Sequence, residues 1–200
     1  MKKFFKVLFK LFLFFFFCIV LLGGYLILRY RNWEKDFESG IRQEYVITKK
    51  SIQDVSVEER LTQFVLSSED TQFLEFKVKE FGAILFTVLN NYTNEEITVE
   101  RMYIEPQKAK WKIYIEFSYK EVKLWASMDL NKDDMQTAQL YTKELFVGPF
   151  PIHTFTDWDD TINRGIGDSL VTLNENGFVG RYIENIELLE DSIIFKGSRY

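Results

Sequence analysis

From Leu11 to Leu28 the chain runs for 18 residues without a charge. Coiled as an α-helix at 1.5 Å per residue, that run is about 27 Å long, close to the hydrocarbon thickness of a bilayer. Eight of the 20 Phe (Phe4, Phe5, Phe9, Phe12, Phe14, Phe15, Phe16, Phe17) fall in the first 17 residues, so this end is built for an apolar solvent. A cleaved signal peptide carries a shorter apolar core, about 7 to 15 residues, closed by small residues of the Ala-x-Ala kind. Here Gly23-Gly24 is followed by Tyr25, Leu26, Ile27 and Leu28, which predicts an uncleaved anchor. Cys18 follows four Phe rather than a small residue, so it reads as a lipid-facing apolar side chain and not as a lipoprotein cysteine.

Lysines and arginines beside a span set its orientation. Lys2, Lys3, Lys6 and Lys10 precede the run with no acid among them, whereas Arg29, Arg31 and Lys35 are interspersed with Glu34, Asp36 and Glu38. The bias predicts the N-terminus in the cytoplasm and everything beyond residue 30 outside it. That outer part holds 20 Lys+Arg against 30 Asp+Glu, a net charge of −10. A surface of that sign repels polyphosphate, which excludes nucleic acid as the expected partner. It also holds no cysteine, hence no disulfide, no Cys-based metal site and no thiol nucleophile.

The expected organisation is a basic cytoplasmic tail over 1–10, a transmembrane anchor over 11–30, a stalk over 31–56 and an extracytoplasmic α+β domain over 57–200. Within the stalk, Gly40 is placed to end a helix that continues from the anchor. Ser56 with Glu59, and Ser67 with Asp70, resemble capping boxes. Phe73, Phe76 or Lys77, Phe81, Ile84, Leu85, Val88 and Leu89 fall at steps of three and four, predicting a helix from near Ser68 to Asn90-Asn91. Trp111, Ile113, Ile115, Phe117 and Tyr119 alternate with Lys112, Tyr114, Glu116 and Ser118, and Val122 to Leu130 alternates likewise. These are strands with one apolar face each. With Ile97–Glu105 and Gln139–Val147 they form a meander whose short links require antiparallel neighbours. The two prolines of Gly148-Pro149-Phe150-Pro151 exclude a central ladder position there. Trp158, Ile162, Ile166, Leu170 and Leu173 predict a second helix, and Phe178–Leu189 with Ser192–Phe195 a closing hairpin about Glu190-Asp191. The fold class is therefore α+β: an N-terminal transmembrane helix, then one domain with an antiparallel sheet of about six strands packed on two helices.

Several strings imitate catalytic or metal sites, and each lacks a required partner. Asp157-Trp158-Asp159-Asp160-Thr161 matches the Asp-x-Asp-x-Thr of haloacid-dehalogenase-like phosphatases, but no hydrophobic parallel strand precedes it and too little chain follows for a doubly wound sheet. Acids at a helix start explain the string. Gly167-Asp168-Ser169-Leu170 spells the block of the GDSL esterases, yet the only histidine, His153, lies upstream of the serine. Asp129-Leu130-Asn131-Lys132-Asp133-Asp134 opens like an EF-hand loop but has Asp134 where Gly is required and Leu140 where Glu is required. Asn91-Tyr92-Thr93 is a glycosylation acceptor string. Trp111, Tyr114, Tyr119 and Trp125 suggest a carbohydrate platform, but Trp111 and Tyr119 lie on the apolar phase of their strand, which reads as core packing. No enzyme, cofactor or metal is expected.

A Lys-rich tail, one membrane helix, the string Leu66-Ser67-Ser68-Glu69-Asp70, an antiparallel meander, Val147-Gly148-Pro149-Phe150-Pro151-Ile152, a helix, and Ile186-Glu187-Leu188 with Ile193-Ile194-Phe195 follow in order. In this order the chain resembles the YpmS-like family of single-pass extracytoplasmic membrane proteins over about residues 56 to 196, and is more loosely similar to tubular lipid-binding domains. The resemblance implies a location and a fold, since the family has no assigned activity. Two functions remain. In one, the outer domain shelters a membrane lipid or other apolar ligand between sheet and helix, lined by Phe81, Leu85, Trp111, Ile113 and Ile115. In the other, it is an interaction or accessory module for an envelope protein, docked through a sheet edge or a surface patch.

Overall fold

The structure is a computed structural model and describes residues 2–52, 57–92, 97–120, 122–132, 138–154, 156–172 and 181–199. The chain divides into two compact units, Met1–Gly40 and Ile41–Tyr200. The first is a single helix, α1 (Lys2–Gly40), which ends at the glycine that the sequence singles out. Among the described residues it is the one helix long and apolar enough to cross a membrane. Its apolar side chains point outward throughout the charge-free run, from Phe12, 66% exposed, to Leu28, 62% exposed. Beyond that run, Tyr30, Trp33 and Phe37 lie at steps of three and four on one face, with the Trp33 and Phe37 rings stacked at 5.0 Å.

The second unit contains two antiparallel sheets. Six strands, β1 (Val46–Thr48), β3 (Ile97–Gln107), β4 (Lys110–Tyr119), β5 (Val122–Lys132), β6 (Leu140–Val147) and β7 (Phe150–Pro151), pair in the order β1-β3-β4-β5-β6-β7. Three more, β2 (Thr71–Lys77), β8 (Arg181–Leu188) and β9 (Ser192–Arg199), pair in the order β2-β9-β8. Helices α2 (Val57–Leu66), α3 (Val78–Tyr92) and α4 (Trp158–Thr172) pack against them. The meander β3-β4-β5-β6 follows the alternation in the sequence, and Pro151 sits on a two-residue edge strand where no outward N–H is required.

Three local expectations are corrected. Residues 71–77 form strand β2 rather than the start of a helix. Phe73 and Phe76 satisfy a helical step, but Leu74 and Phe76 also satisfy a period of two, and these two are the buried pair against β9. The helix starts only at Val78, where the Glu80 carboxylate accepts a hydrogen bond from the Lys77 N–H at 2.8 Å, the reaching-back half of a capping box. Ser67, expected as a cap, instead accepts from Glu69 N–H in the turn that precedes β2. Of the other expected box, Ser56 lies outside the described residues. Second, the closing hairpin does not extend the meander; its strand β9 enters the second sheet between β2 and β8. Third, the stretch 31–56 is divided, for after α1 ends the chain turns at Gln43–Tyr45 and lays β1 along β3, with Ile47 fully buried.

One core joins these parts. Ile47, Met102, Ile104, Trp111, Ile113, Ile115 and Leu130 line one face of the six-stranded sheet, and Ala83 and Phe86 of α3 close over it. The helix approaches so closely at Gly82 that a Cβ there would lie 2.6 Å from Ile47 Cδ1 and 3.0 Å from Ile104 Cδ1. The absent side chain sets the helix-to-sheet distance. On the second sheet, Gly197 plays the same part, since a Cβ would run into the Phe64 ring of α2 and lie 2.9 Å from Arg181 Cδ. The buried Arg181 guanidinium stacks over Phe64 and donates to the carbonyls of Gly197 and Glu69, at 2.8 and 2.7 Å. It thereby fastens the α2–β2 turn to β8 and β9.

Candidate functional site

All five side chains selected as lining candidates lie at one helix-on-sheet contact. Trp111, Ile113 and Ile115 occupy successive inward positions of β4, opposite Pro106, Ile104 and Met102 on β3 and Leu130, Met128 and Ala126 on β5. Phe81 and Leu85, one helical turn apart on α3, pack on the same buried group. The Phe81 ring meets Trp111 edge-on, centroids 5.6 Å apart and planes at 77°. Trp111 is fully buried, and its indole N–H donates to Leu189 O at 2.7 Å, so the one polar atom of the side chain is satisfied. The spacing at Gly82 leaves no room for even a methyl group beside Ile47 and Ile104. The five residues are brought together on one helix-on-sheet contact.

The strings that resemble active sites are placed otherwise. Asp157 directly precedes α4, and its carbonyl accepts from the Thr161 hydroxyl and N–H, which is the geometry of a helix start. The backbone of Gly167-Asp168-Ser169-Leu170 is helical within α4. His153 sits with Nδ1 3.1 Å from Leu145 O and its ring edge-on to Phe146. Asp129 and Asn131 are residues of β5 rather than of a loop, and 133–137 of the calcium-like string lie outside the described residues.

What the alternation does not reveal is the other face of the six-stranded sheet. Arg101, Tyr103, Lys110, Lys112, Tyr114, Glu116, Trp125, Ser127 and Asp129 share it by register. Although this is the polar phase of each strand, Tyr103, Tyr114, Glu116, Trp125, Ser127 and Asp129 are buried. Burying charge demands partners. Arg101 supplies a two-pronged pair to Glu116, at 2.6 and 2.9 Å, while its guanidinium lies over the Trp125 ring at 5.1 Å. Lys110 Nζ meets Asp129 Oδ2 at 2.5 Å, and this hydrogen bond holds the ammonium pKa above its ordinary value. Burial, reinforced by the charges of Glu105 and Asp129, pushes the Tyr114 phenol up.

Asp129 is only 1% exposed, yet its Oδ1 has no hydrogen-bond partner among the described residues. The signal in the sequence was present: Tyr114 and Trp125 stand on the supposedly solvated phase among Lys and Glu. Large aromatic rings there indicate a second buried layer.

Comparison with protein-family models, with curated proteins and with solved structures finds no match for this chain.

Proposed function

We propose that the chain is a membrane-anchored, non-catalytic envelope protein of the YpmS-like kind, with its N-terminus in the cytoplasm. The 41–200 unit then acts outside as an accessory module that docks a protein partner. One observation favours docking over the sheltering of a lipid: at Gly82 the helix lies so close to the sheet that even a Cβ would overlap Ile47. Leu66 and Phe73, meanwhile, stand 75% and 60% exposed at the α2–β2 end. Side chains of that size left in water suit an interface more than a solvated surface. Lys2, Lys3, Lys6 and Lys10 support the orientation.

The reading is tested in the full chain. A photo-activated cross-linker at position 73 is expected to give a discrete protein adduct in cells, and native mass spectrometry of the extracted protein to show no retained lipid. External protease on intact cells or spheroplasts is expected to remove the 41–200 unit. A stoichiometric acyl lipid without an adduct returns the lipid-sheltering alternative, and protease resistance reverses the orientation.

A further inference from the structure

Strand β2 is an outer member of the β2-β9-β8 sheet, and the ladder shows which of its backbone groups face outward. Arg199 N–H donates to Asp70 O and Val78 N–H to Asp191 O, so the even-numbered residues from 70 to 78 aim their amides and carbonyls at β9. Those of Thr71, Phe73, Glu75 and Lys77 point the other way. Side chains occupy them at one end, where the Glu80 carboxylate takes the Lys77 N–H and Arg60 donates to Glu75 O at 3.2 Å. The Phe73 N–H is held only by the amide of the adjacent Gln72, at 3.1 Å. Among the described residues no hydrogen bond reaches Thr71 N–H, Thr71 O, Phe73 O or Glu75 N–H. Phe73 stands exposed in the middle of this open stretch.

We infer that this edge is completed by β2 of a second copy of the chain, paired antiparallel about a two-fold axis at Phe73. The inference rests on the docking reading above and names the partner. Alternating donors and acceptors at strand spacing are matched by another extended backbone. The open stretch is self-complementary, as a two-fold contact requires: with Phe73 opposite its own mate, Thr71 of each copy falls opposite Glu75 of the other, and both residues offer an outward N–H and C=O. Two residues further out, Glu69 falls opposite Lys77, so both ends of the pairing close on opposite charges. A register centred on Glu75 sets two carboxylates face to face, and one centred on Thr71 sets Phe73 against Glu69. The Phe73 register instead covers each ring with the other. Two copies anchored in one bilayer meet at a raised effective concentration, which lets so short a pairing persist against the net charge of −10 on each outer part.

The test uses the full chain in isolated membranes, with Cys18→Ala so that an introduced cysteine is the only one. In a hydrogen-bonded antiparallel pair the facing Cα atoms are about 5.5 Å apart, within disulfide reach. Phe73→Cys is therefore expected to give a disulfide-linked dimer on mild oxidation, identified by mass as two copies of this chain. Gln72→Cys, whose mate lies diagonally across the axis at about 7 to 8 Å, is expected to stay monomeric. Thr71→Pro, added to Phe73→Cys, removes one outward N–H and leaves the ladder to β9 intact, so the dimer is expected to be lost while the extracted protein still melts cooperatively. Should Thr71→Pro fail to fold, the contrast between positions 73 and 72 decides alone. Equal linkage at 72 and 73, no linkage at 73, or a dimer that survives in folded Thr71→Pro overturns the proposal. An adduct of a different protein at position 73 overturns the self-pairing and leaves the docking reading standing, whereas no adduct of any kind removes both.

Discussion

Asn163 of α4 holds Thr142 of β6 as a neighbouring strand would: its side-chain Oδ1 accepts from the Thr142 N–H, and its Nδ2 donates to Thr142 O at 3.0 Å. Beyond the short β7, this amide closes the outer edge of the six-stranded sheet. At the opposite edge, past the end of β1, Asn90 of α3 treats Val99 in the same way, at 3.1 and 3.4 Å. Two helices thus cap the two edges with side chains, which blocks strand addition at both points. Docking through an open edge of this sheet, one of the two modes expected from sequence, is disfavoured there.

Asn163→Ala is expected to destabilise the domain by about 1 to 3 kcal/mol, since it leaves a buried backbone donor and acceptor unpaired. Asn163→Asp keeps the acceptor but loses the donor, so its cost is expected to be smaller. Urea titration of both variants measures the order.

Phe81→Ala and Leu85→Ala are expected to cost about 2 to 5 kcal/mol each, as for other large-to-small changes in a close-packed core. Added lipid should restore none of it. Gly82→Ala adds one methyl where the gap is already closed, and overpacking of that kind costs about 1 to 3 kcal/mol. A lipid-dependent rise in melting temperature of either truncation would show the face to be a ligand space.

Gly197→Ala is expected to loosen the second sheet selectively, because the new Cβ drives against Phe64 and the Arg181 stem. Hydrogen exchange should quicken in β8, β9 and the α2–β2 turn and remain slow in β4. Equal acceleration in both sheets would refute this division.

Carboxylates around the β2–α3 junction and the β8–β9 turn set an acid limb. At Glu80, burial alone would raise the pKa, but the Arg60 guanidinium, at 2.6 and 2.9 Å, and the Lys77 N–H outweigh it and hold the group below its ordinary value. The hydrogen bond from Lys77 lowers Glu75 and Asp191 as well. A carboxylate depressed on folding stabilises above its unfolded pKa, about 4.3 for Glu and 3.9 for Asp, and the contribution is lost as pH falls below that. Stability is thus expected to be flat near neutrality and to decline below about pH 4.3. Glu80→Gln should make the acid decline shallower, as read from urea midpoints at successive pH values.

The meander was legible because Trp111 to Tyr119 and Val122 to Leu130 alternate without interruption, and a period of two has one structural meaning over nine residues. Residues 71–77 were not, because Phe73 and Phe76 fit both periods and the deciding fact, pairing with β9, lies far along the chain. β1 was hidden for a related reason: a three-residue strand in a charged stretch carries no periodicity, and Ile47 alone marks its burial. The five lining candidates share one phase, but phase does not report spacing, and the close approach at Gly82 to Ile47 and Ile104 has no signal in the alternation. The charged second layer escaped because alternation assigns Glu116 and Asp129 to water, whereas their partners Arg101 and Lys110 come from across the strands.

Strand β9 is the middle member of the β2-β9-β8 sheet, and the ion pair Lys77–Asp191, which ties the end of β2 to the turn that leads into β9, spans 114 residues. A ribosome adding 5 to 20 residues per second reaches β9 roughly 6 to 24 s after β2 has emerged. During that interval β2 has no strand to receive it, and Leu74 and Phe76 have only the flanking α2 and α3 to cover them. The second sheet therefore assembles late in synthesis, and the newborn chain needs a chaperone or the still-forming meander to keep that sticky segment from neighbouring chains.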